Sequence, residues 1–236
     1  MAQQVIHDFV REVAATLPIL DPVVEFGSLQ VEPDQPHDLR LLFEGHAYQG
    51  TDMREGPGVD RVEDLRRLSF ADGEVGTALC TDTLEHCQDP ITACRELHRV
   101  VAEGGVCVLS SVMLFGIHGY PNDYFRFTPE GFRSLLAPFD DVWVAGIGDP
   151  SIPFQVVGIG AKGRSLGVSL ESFPSLAAAQ RQWEAAIGQV RVGPFRLSLG
   201  EFARTAVAEV PRALARRLAG RPSRTGRRGT GAEASG

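Results

Sequence analysis

The 236-residue sequence lacks the features that mark membrane-spanning, secreted and disulfide-rich proteins. No apolar run reaches the roughly 18 residues that a membrane span needs. The first residues do not follow the basic-then-apolar plan of a signal peptide. The four cysteines match no Cys-x2-Cys zinc pattern, so we expect reduced thiols. We therefore predict a cytoplasmic protein without a membrane span.

A strongly basic character is also missing from most of the chain. The net charge of −7 argues against a protein that coats nucleic acid. Positive charge is concentrated after residue 160, above all in the stretch 212–228. That stretch could be an RNA-binding arm or a membrane anchor, but it has few aromatic residues and little large apolar surface. We predict a solvated helix and then a disordered basic tail over residues 221–236.

Apolar periodicity and turn residues divide residues 1–162 into alternating strands and helices. The predicted strands are residues 23–27, 47–52, 75–81, 106–111, 142–147 and 154–159, and the predicted helices are residues 3–17, 37–43, 90–102 and 128–136. This order predicts an α/β domain with a doubly wound, mostly parallel sheet. The last two strands have no helix between them, which predicts antiparallel edge strands. Residues 163–220 are predicted to form a helical C-terminal extension, with helices at 175–188 and 201–219.

In such sheets, ligands bind at the carboxyl ends of the strands. Asp52 ends the second predicted strand and lies 25 residues beyond Gly27, near the spacing expected for a nucleoside site. A carboxylate there accepts hydrogen bonds from both hydroxyls of a ribose. A dinucleotide site is not expected, because the G-x-G-x-x-G loop is missing and Glu25 would repel a pyrophosphate.

Several segments between residues 20 and 160 together resemble one family. In chain order they are VVEFGS, YQGTDM, GVDRVEDL, ALCTDTLEH and DPITACRELHRVVAEGGVCVLSS. The chain resembles class I S-adenosylmethionine-dependent methyltransferases of the small-molecule "type 11" kind. The resemblance implies a Rossmann-like methyltransferase domain over residues 1–162 with S-adenosylmethionine as its cofactor. The first loop has one glycine, whereas the family pattern E/D-x-G-x-G-x-G has three.

The resemblance also implies a role for particular residues. Those expected to bind the cofactor are Glu25, Gly27 and Ser28 beside its methionine part, Asp52 on the ribose, Met53, Asp64 and Leu65 around the adenine, and Thr81 at the end of the third strand. His86 is expected to lie near the sulfonium methyl group.

The acceptor site is expected to lie in and before the segment 117–128, which is rich in titratable and aromatic side chains. Candidate catalytic bases are His86 and His118, because histidine titrates near neutral pH. Candidate substrate-binding residues are Glu85, Tyr120, Asp123 and Tyr124. Structural roles stay open for several of them: His86 as a helix cap, and Asp123 as the ion-pair partner of Arg126. The sequence has no His-Glu-x-x-His motif, and we predict no catalytic metal, although Asp82, Glu85 and His86 in one turn could bind an ion.

These features predict methyl transfer by in-line displacement to a small hydroxylated acceptor, such as a sugar or a natural-product intermediate, at oxygen. The sequence CTDTLEH replaces the N/D-P-P-Y tetrad of families that methylate base amines, so a nucleic-acid partner is not expected. Two alternatives stay open. One is an RNA or protein methyltransferase that uses the basic C-terminus, and the other is a non-catalytic scaffold with a degenerate cofactor loop. A homodimer is also left open.

Overall fold

The structure is a computed structural model that describes residues 2–31, 38–119, 122–186, 189–192 and 195–198. A seven-stranded sheet has the order β3-β2-β1-β4-β5-β7-β6. Its strands are β1 (Val23–Phe26), β2 (Tyr48–Asp52), β3 (Arg61–Val62), β4 (Val75–Thr81), β5 (Val101–Val112), β6 (Asp141–Asp149) and β7 (Ile152–Ala161). The five strands on the β3 side are parallel, and β7 is antiparallel to both of its neighbours. The predicted fold class, including the antiparallel edge strands, is confirmed.

Helices cover both faces of the sheet. They are α1 (Ala2–Thr16), α2 (Pro90–Val100), α3 (Pro129–Leu136) and α4 (Pro174–Ala186), with short 3-10 helices at Leu39–Phe43, Leu84–His86 and Leu170–Ser172. Asp89 caps α2 and Thr128 caps α3, each by accepting a backbone N–H of the first turn. A proline follows each cap, where its missing N–H costs no helical hydrogen bond. One apolar layer packs under α2 and α3, and a second packs under α1 and α4.

The structure corrects three local predictions. The predicted helix at 37–43 is a 3-10 helix of five residues, Leu39–Phe43, capped by Asp38. The helix predicted to reach residue 102 ends at Val100, and β5 begins at Val101 after the backbone turns extended. The two-residue strand β3 was not predicted, because it is too short to show a period of two.

The C-terminal region departs furthest from its prediction. A first compact unit extends to Ala185, beyond the predicted boundary at 162, and includes α4. Ser175 in α4 bonds to the Glu12 carboxylate in α1, and Leu176 is fully buried, so this helix belongs to the α/β body. Two further strands, β8 (Gln189–Val192) and β9 (Phe195–Ser198), pair antiparallel within a region predicted to be helical. The predicted helix 201–219 and tail 221–236 lie outside the described residues.

None of the helices in the described part of the chain combines the length and the apolar character that a bilayer crossing requires.

Candidate active site

A cavity of about 590 Å³ opens at the carboxyl ends of β1, β2 and β4. These ends meet because β1 pairs with both neighbours in parallel, with Phe26 opposite Thr51 and Glu25 opposite Leu79. All the predicted cofactor residues line this cavity: Glu25, Gly27, Ser28, Asp52, Met53, Asp64, Leu65 and Thr81. His86, His118, Glu85 and Tyr124, predicted for the acceptor side, line it as well.

The loop after β1 requires glycine at its first position. Gly27 has a φ of 92°, and a Cβ there would overlap the side chain of Thr83. The Thr83 hydroxyl donates a hydrogen bond to the Thr81 carbonyl at 2.8 Å, which fixes it against the loop. Gly27 therefore provides both a left-handed backbone and a close approach between two strand ends. Thr83 was not predicted to have a role.

The rest of this loop is held by the turn at residues 56–58. Ser28 Oγ donates to the Gly58 carbonyl at 2.9 Å, and the Gln30 backbone N–H donates to the Pro57 carbonyl at 2.9 Å. Counted from Glu25, the family pattern has its second and third glycines at Leu29 and Val31. Both side chains line the cavity. The loop thus uses side-chain and backbone contacts to a neighbouring turn in place of two glycines.

Glu25 is an enclosed carboxylate at the methionine end of the cavity. The Tyr48 hydroxyl donates a hydrogen bond to it. Removal of the carboxylate from water raises the pKa of Glu25 to about 7, although the tyrosine bond opposes this shift. No ion pair to Glu25 was found among the described residues. A cationic group entering the cavity would therefore stabilise the ionised form of Glu25.

Two further carboxylates lie at the nucleoside end. Asp52 Oδ1 accepts the Arg54 backbone N–H at 2.9 Å, a local turn that orients the carboxylate at the end of β2. The Arg66 guanidinium bonds to both oxygens of Asp64, which lowers the pKa of that carboxyl. Met53 is 55% exposed at the cavity mouth. This end combines carboxyl oxygens with apolar surface, a combination that suits a ribose and a base.

Two histidines meet at the acceptor end. The rings of His86 and His118 are edge to face, with centroids 4.8 Å apart. His86 Nδ1 lies 2.6 Å from the Asn122 carbonyl, and His118 Nδ1 lies 3.1 Å from the Gly116 carbonyl. A carbonyl oxygen only accepts hydrogen bonds, so each Nδ1 carries a proton. In the neutral rings the lone pair is therefore on Nε2.

A pair of acidic side chains lies beside the two histidines. The Asp82 carboxylate accepts from Ser110 Oγ at 2.8 Å and from Gln155 Nε2 at 2.6 Å. Glu85 accepts from Ser111 Oγ at 2.7 Å. Burial raises the pKa of both carboxyls, and the charge of Asp82 adds to the shift of Glu85, whose pKa is about 8. Gln155 was not predicted to have a role, and Asp82 was noted only as a possible metal ligand beside Glu85 and His86.

Asp123 holds the acceptor loop together and does not line this cavity. Its side chain is 3% exposed and pairs with the Arg126 guanidinium, with Nη2 2.6 Å from Oδ2. It also accepts the His118 backbone N–H at 2.9 Å. These bonds hold the pKa of Asp123 well below its usual range. This placement fits the ion-pair alternative more closely than the predicted contact with substrate.

The remaining acceptor-side candidates are Tyr124 and Tyr120. The Tyr124 hydroxyl accepts a hydrogen bond from Gln88 Nε2 at 3.0 Å, and its backbone N–H bonds to the Glu85 carbonyl at 2.8 Å. Tyr124 thereby ties the loop to the 3-10 helix that carries Glu85 and His86. Tyr120 lies outside the described residues.

Comparisons with known proteins agree with this architecture. Residues 49–109, from β2 to β5, match the model of a family described as a methyltransferase domain. A SAM-dependent methyltransferase structure from Archaeoglobus fulgidus is 14% identical, with 68% of this chain and 94% of that chain covered and a TM-score of 0.52. A SAM-dependent methyltransferase from Thermotoga maritima, described as a possible histamine N-methyltransferase, is 20% identical, with coverages of 68% and 93% and a TM-score of 0.48. No curated protein sequence was found to match the chain.

Proposed function

We propose that the chain is a class I, S-adenosylmethionine-dependent methyltransferase and that it methylates a hydroxyl oxygen of a small acceptor. One observation carries the proposal. His86 and His118 line the same cavity as the cofactor residues, each with its Nδ1 fixed and its Nε2 available. Sugars and hydroxylated natural-product intermediates are the acceptors that this chemistry favours.

The residues present fit the cofactor. Glu25 is an enclosed carboxylate without an ion-pair partner among the described residues, and it suits the cationic methionine portion. Asp52 lies where the ribose hydroxyls would donate to it. Gly27 leaves room at the point where Thr83 approaches the loop. When bound, S-adenosylmethionine supplies the electrophilic methyl group.

The histidines account for the preference for oxygen. A hydroxyl that gains a methyl group must lose its proton, and a neutral imidazole is a suitable acceptor for that proton near pH 7. As the bond from oxygen to the methyl carbon forms and the bond from carbon to sulfur breaks, His86 or His118 takes the proton on Nε2. The loop bonds of Asn122 and Gly116 keep both rings in position for this transfer.

The size of the cavity supports a small acceptor. About 590 Å³ lies within the range of roughly 300–1,000 Å³ that is typical of small-molecule sites. The basic stretch that an RNA or protein methyltransferase would use lies outside the described residues. The four free thiols, three of them buried, support the proposed location in the reducing cytoplasm.

Thermal unfolding with S-adenosylhomocysteine tests the first half of the proposal, with NADH as the matched negative control. A ligand at about 100 times its Kd adds roughly 2.7 kcal/mol of stability. For a chain of this size we expect the midpoint to rise by about 5–10 °C. Transfer of labelled methyl groups to a panel of hydroxylated and amine acceptors tests the second half. No stabilisation at saturating ligand would refute the enzyme and favour the scaffold alternative.

A further inference from the structure

Two histidine side chains and one glutamate side chain converge at the acceptor end of the cavity. One ring nitrogen each of His86 and His118 and one carboxylate oxygen of Glu85 lie within 4.8 Å of one another. We propose that these three residues bind a divalent first-row metal ion. Binding of the ion stands on this geometry alone, whereas its part in catalysis rests on the proposed function.

Each of the two imidazoles makes the kind of hydrogen bond, through Nδ1, that a metal-ligating histidine makes with its other ring nitrogen. A ligating histidine usually donates its other ring N–H to a backbone carbonyl or a carboxylate, which fixes the tautomer and the ring orientation. His86 makes this contact to Asn122, and His118 makes it to Gly116, with the Asp123 carboxylate 3.1 Å away. Both Nε2 lone pairs are therefore available to a cation without any change of tautomer.

Glu85 provides the independent observation. The residue is 1% exposed, and Ser111 satisfies its Oε2. Its Oε1 is buried and has no hydrogen-bond partner among the described residues. A buried oxygen of this kind costs free energy unless a donor or a cation meets it. The same carboxylate belongs to the converging set, so a bound cation would supply the missing partner.

The donor set indicates the class of metal. Two imidazole nitrogens and one carboxylate oxygen suit zinc and neighbouring first-row ions better than magnesium or calcium, which prefer oxygen ligands. Bonds of about 2.0–2.2 Å place the ligand atoms of one ion roughly 3–4 Å apart. Because both histidines are only half-buried, small ring rotations can close the observed spread.

Three protein ligands leave a coordination position open. An acceptor hydroxyl in that position would have a lowered pKa, and its proton would pass to solvent before the oxygen takes the methyl group. Asp82 lies beside the cluster, and its ionised form adds negative charge that favours a cation. While the ion is bound the histidines are its ligands, and the proton transfer to Nε2 proposed above applies to the metal-free protein.

The test uses the full chain after removal of metal with a chelator. Titration with Zn²⁺ by calorimetry and with Co²⁺ by visible absorption reports binding without any need for activity. We expect one ion per chain in the wild type. Glu85→Gln, which keeps the bond to Ser111, and His118→Asn should each weaken binding at least tenfold. The control His46→Asn alters an exposed histidine that pairs with Asp21 and should bind as the wild type does.

The outcomes separate this proposal from the proposed function. Absence of stoichiometric binding by the wild type overturns the metal site, and so does undiminished binding by both variants when their unfolding midpoints show that they are folded. S-adenosylhomocysteine binding is measured on the same metal-free sample. If the protein binds S-adenosylhomocysteine but no metal, only the proposed metal site is refuted. If it binds the metal but no S-adenosylhomocysteine, only the methyltransferase proposal is refuted. A loss of turnover on chelation, with an unchanged cofactor Kd, supports catalysis by the ion, whereas full turnover of the metal-free protein overturns it.

Discussion

The two ends of the cavity are built in different ways. At the cofactor end, Glu25, Asp52 and Thr81 belong to the ends of three adjacent parallel strands, so the sheet itself positions them. At the acceptor end, His86 and His118 come from a 3-10 helix and a loop that hold each other through side-chain to backbone bonds. The comparison shows that the sheet positions the proposed cofactor residues, whereas loop contacts position the proposed acceptor-side residues.

We expect the largest effect from substitutions that disrupt the acceptor end of the cavity and leave the cofactor end intact. His86→Asn and His118→Asn keep a side-chain N–H that can bond to the loop carbonyl but remove Nε2. We expect turnover to fall by about 10²–10⁴-fold, because base or ligand chemistry at this position is lost. The Kd of S-adenosylhomocysteine should change little. Steady-state kinetics and calorimetry measure the two quantities, and a comparable loss of cofactor affinity would contradict the separation of the two ends.

A glycine substitution and a matched control test the cofactor end of the cavity. Gly27→Ala places a Cβ into the Thr83 side chain at a φ of 92°. We expect about a 100-fold loss of S-adenosylhomocysteine affinity, because either Thr83 or the loop must move. Gly45→Ala is a matched control, since Gly45 has the same φ of 92° and open space around its Cβ. The control should cost only about 1–2 kcal/mol of stability from backbone strain and leave affinity unchanged. If both variants bind S-adenosylhomocysteine with equal affinity, the close approach of Gly27 to Thr83 is not required for cofactor binding.

The substitution Asp52→Asn tests the contribution of one carboxylate at the cofactor end. The substitution keeps the shape and removes the charge that accepts the ribose hydroxyls. Because hydrogen bonds to a charged group contribute about 1.5–3 kcal/mol, we expect a 10- to 100-fold rise in Kd. Turnover at saturating cofactor should stay within a few-fold of the wild type. Asp72→Asn, an exposed carboxylate that pairs with Arg99, serves as the control. A Kd like that of the control would remove Asp52 from the proposed site.

The same contrast explains what could be predicted. Strand ends are local features, so apolar runs were enough to predict that Glu25, Asp52 and Thr81 lie at one edge of the sheet, whereas the roles of Glu25 and Thr81 toward a cofactor came from the family resemblance. The network around Asp82 was not predictable in the same way. Gln155 reaches Asp82 from 73 residues away. It does so because the antiparallel register of β5 and β7 places Gln155 opposite Val112.

Short elements, which show no repeating hydrophobic pattern, were also difficult to predict from the sequence. The strand β3 has two residues and the 3-10 helix after β1 has five, and both are too short for a pattern to repeat. The strands β8 and β9 have only four residues each. A double glycine such as that at 104–105 is typical of the end of a helix, but it lies inside β5, where the register with β4 shifts. Local residue preference was outweighed there by pairing with the neighbouring strand.

The smallest expected effect concerns the charge of Glu25. Burial raises its pKa to about 7 from an ordinary value of 4.5, so between these values the folded state holds a proton that the unfolded state has lost. The contribution of Glu25 to stability is therefore fully present below pH 4.5 and is lost as the pH rises through 7. Glu25→Gln can still accept from Tyr48 but does not titrate, so its stability should lack this component. Unfolding by denaturant at several pH values measures the difference.

Cofactor affinity should show the opposite trend with pH. A cationic amine is stabilised by the ionised form of Glu25, and at pH 6 only about a tenth of the unliganded protein has that form. We therefore expect S-adenosylhomocysteine to bind about tenfold more weakly at pH 6 than at pH 7.5. The Glu25→Gln protein should bind more weakly overall and lose this dependence. An unchanged pH profile in the variant would show that Glu25 is not the group responsible for it.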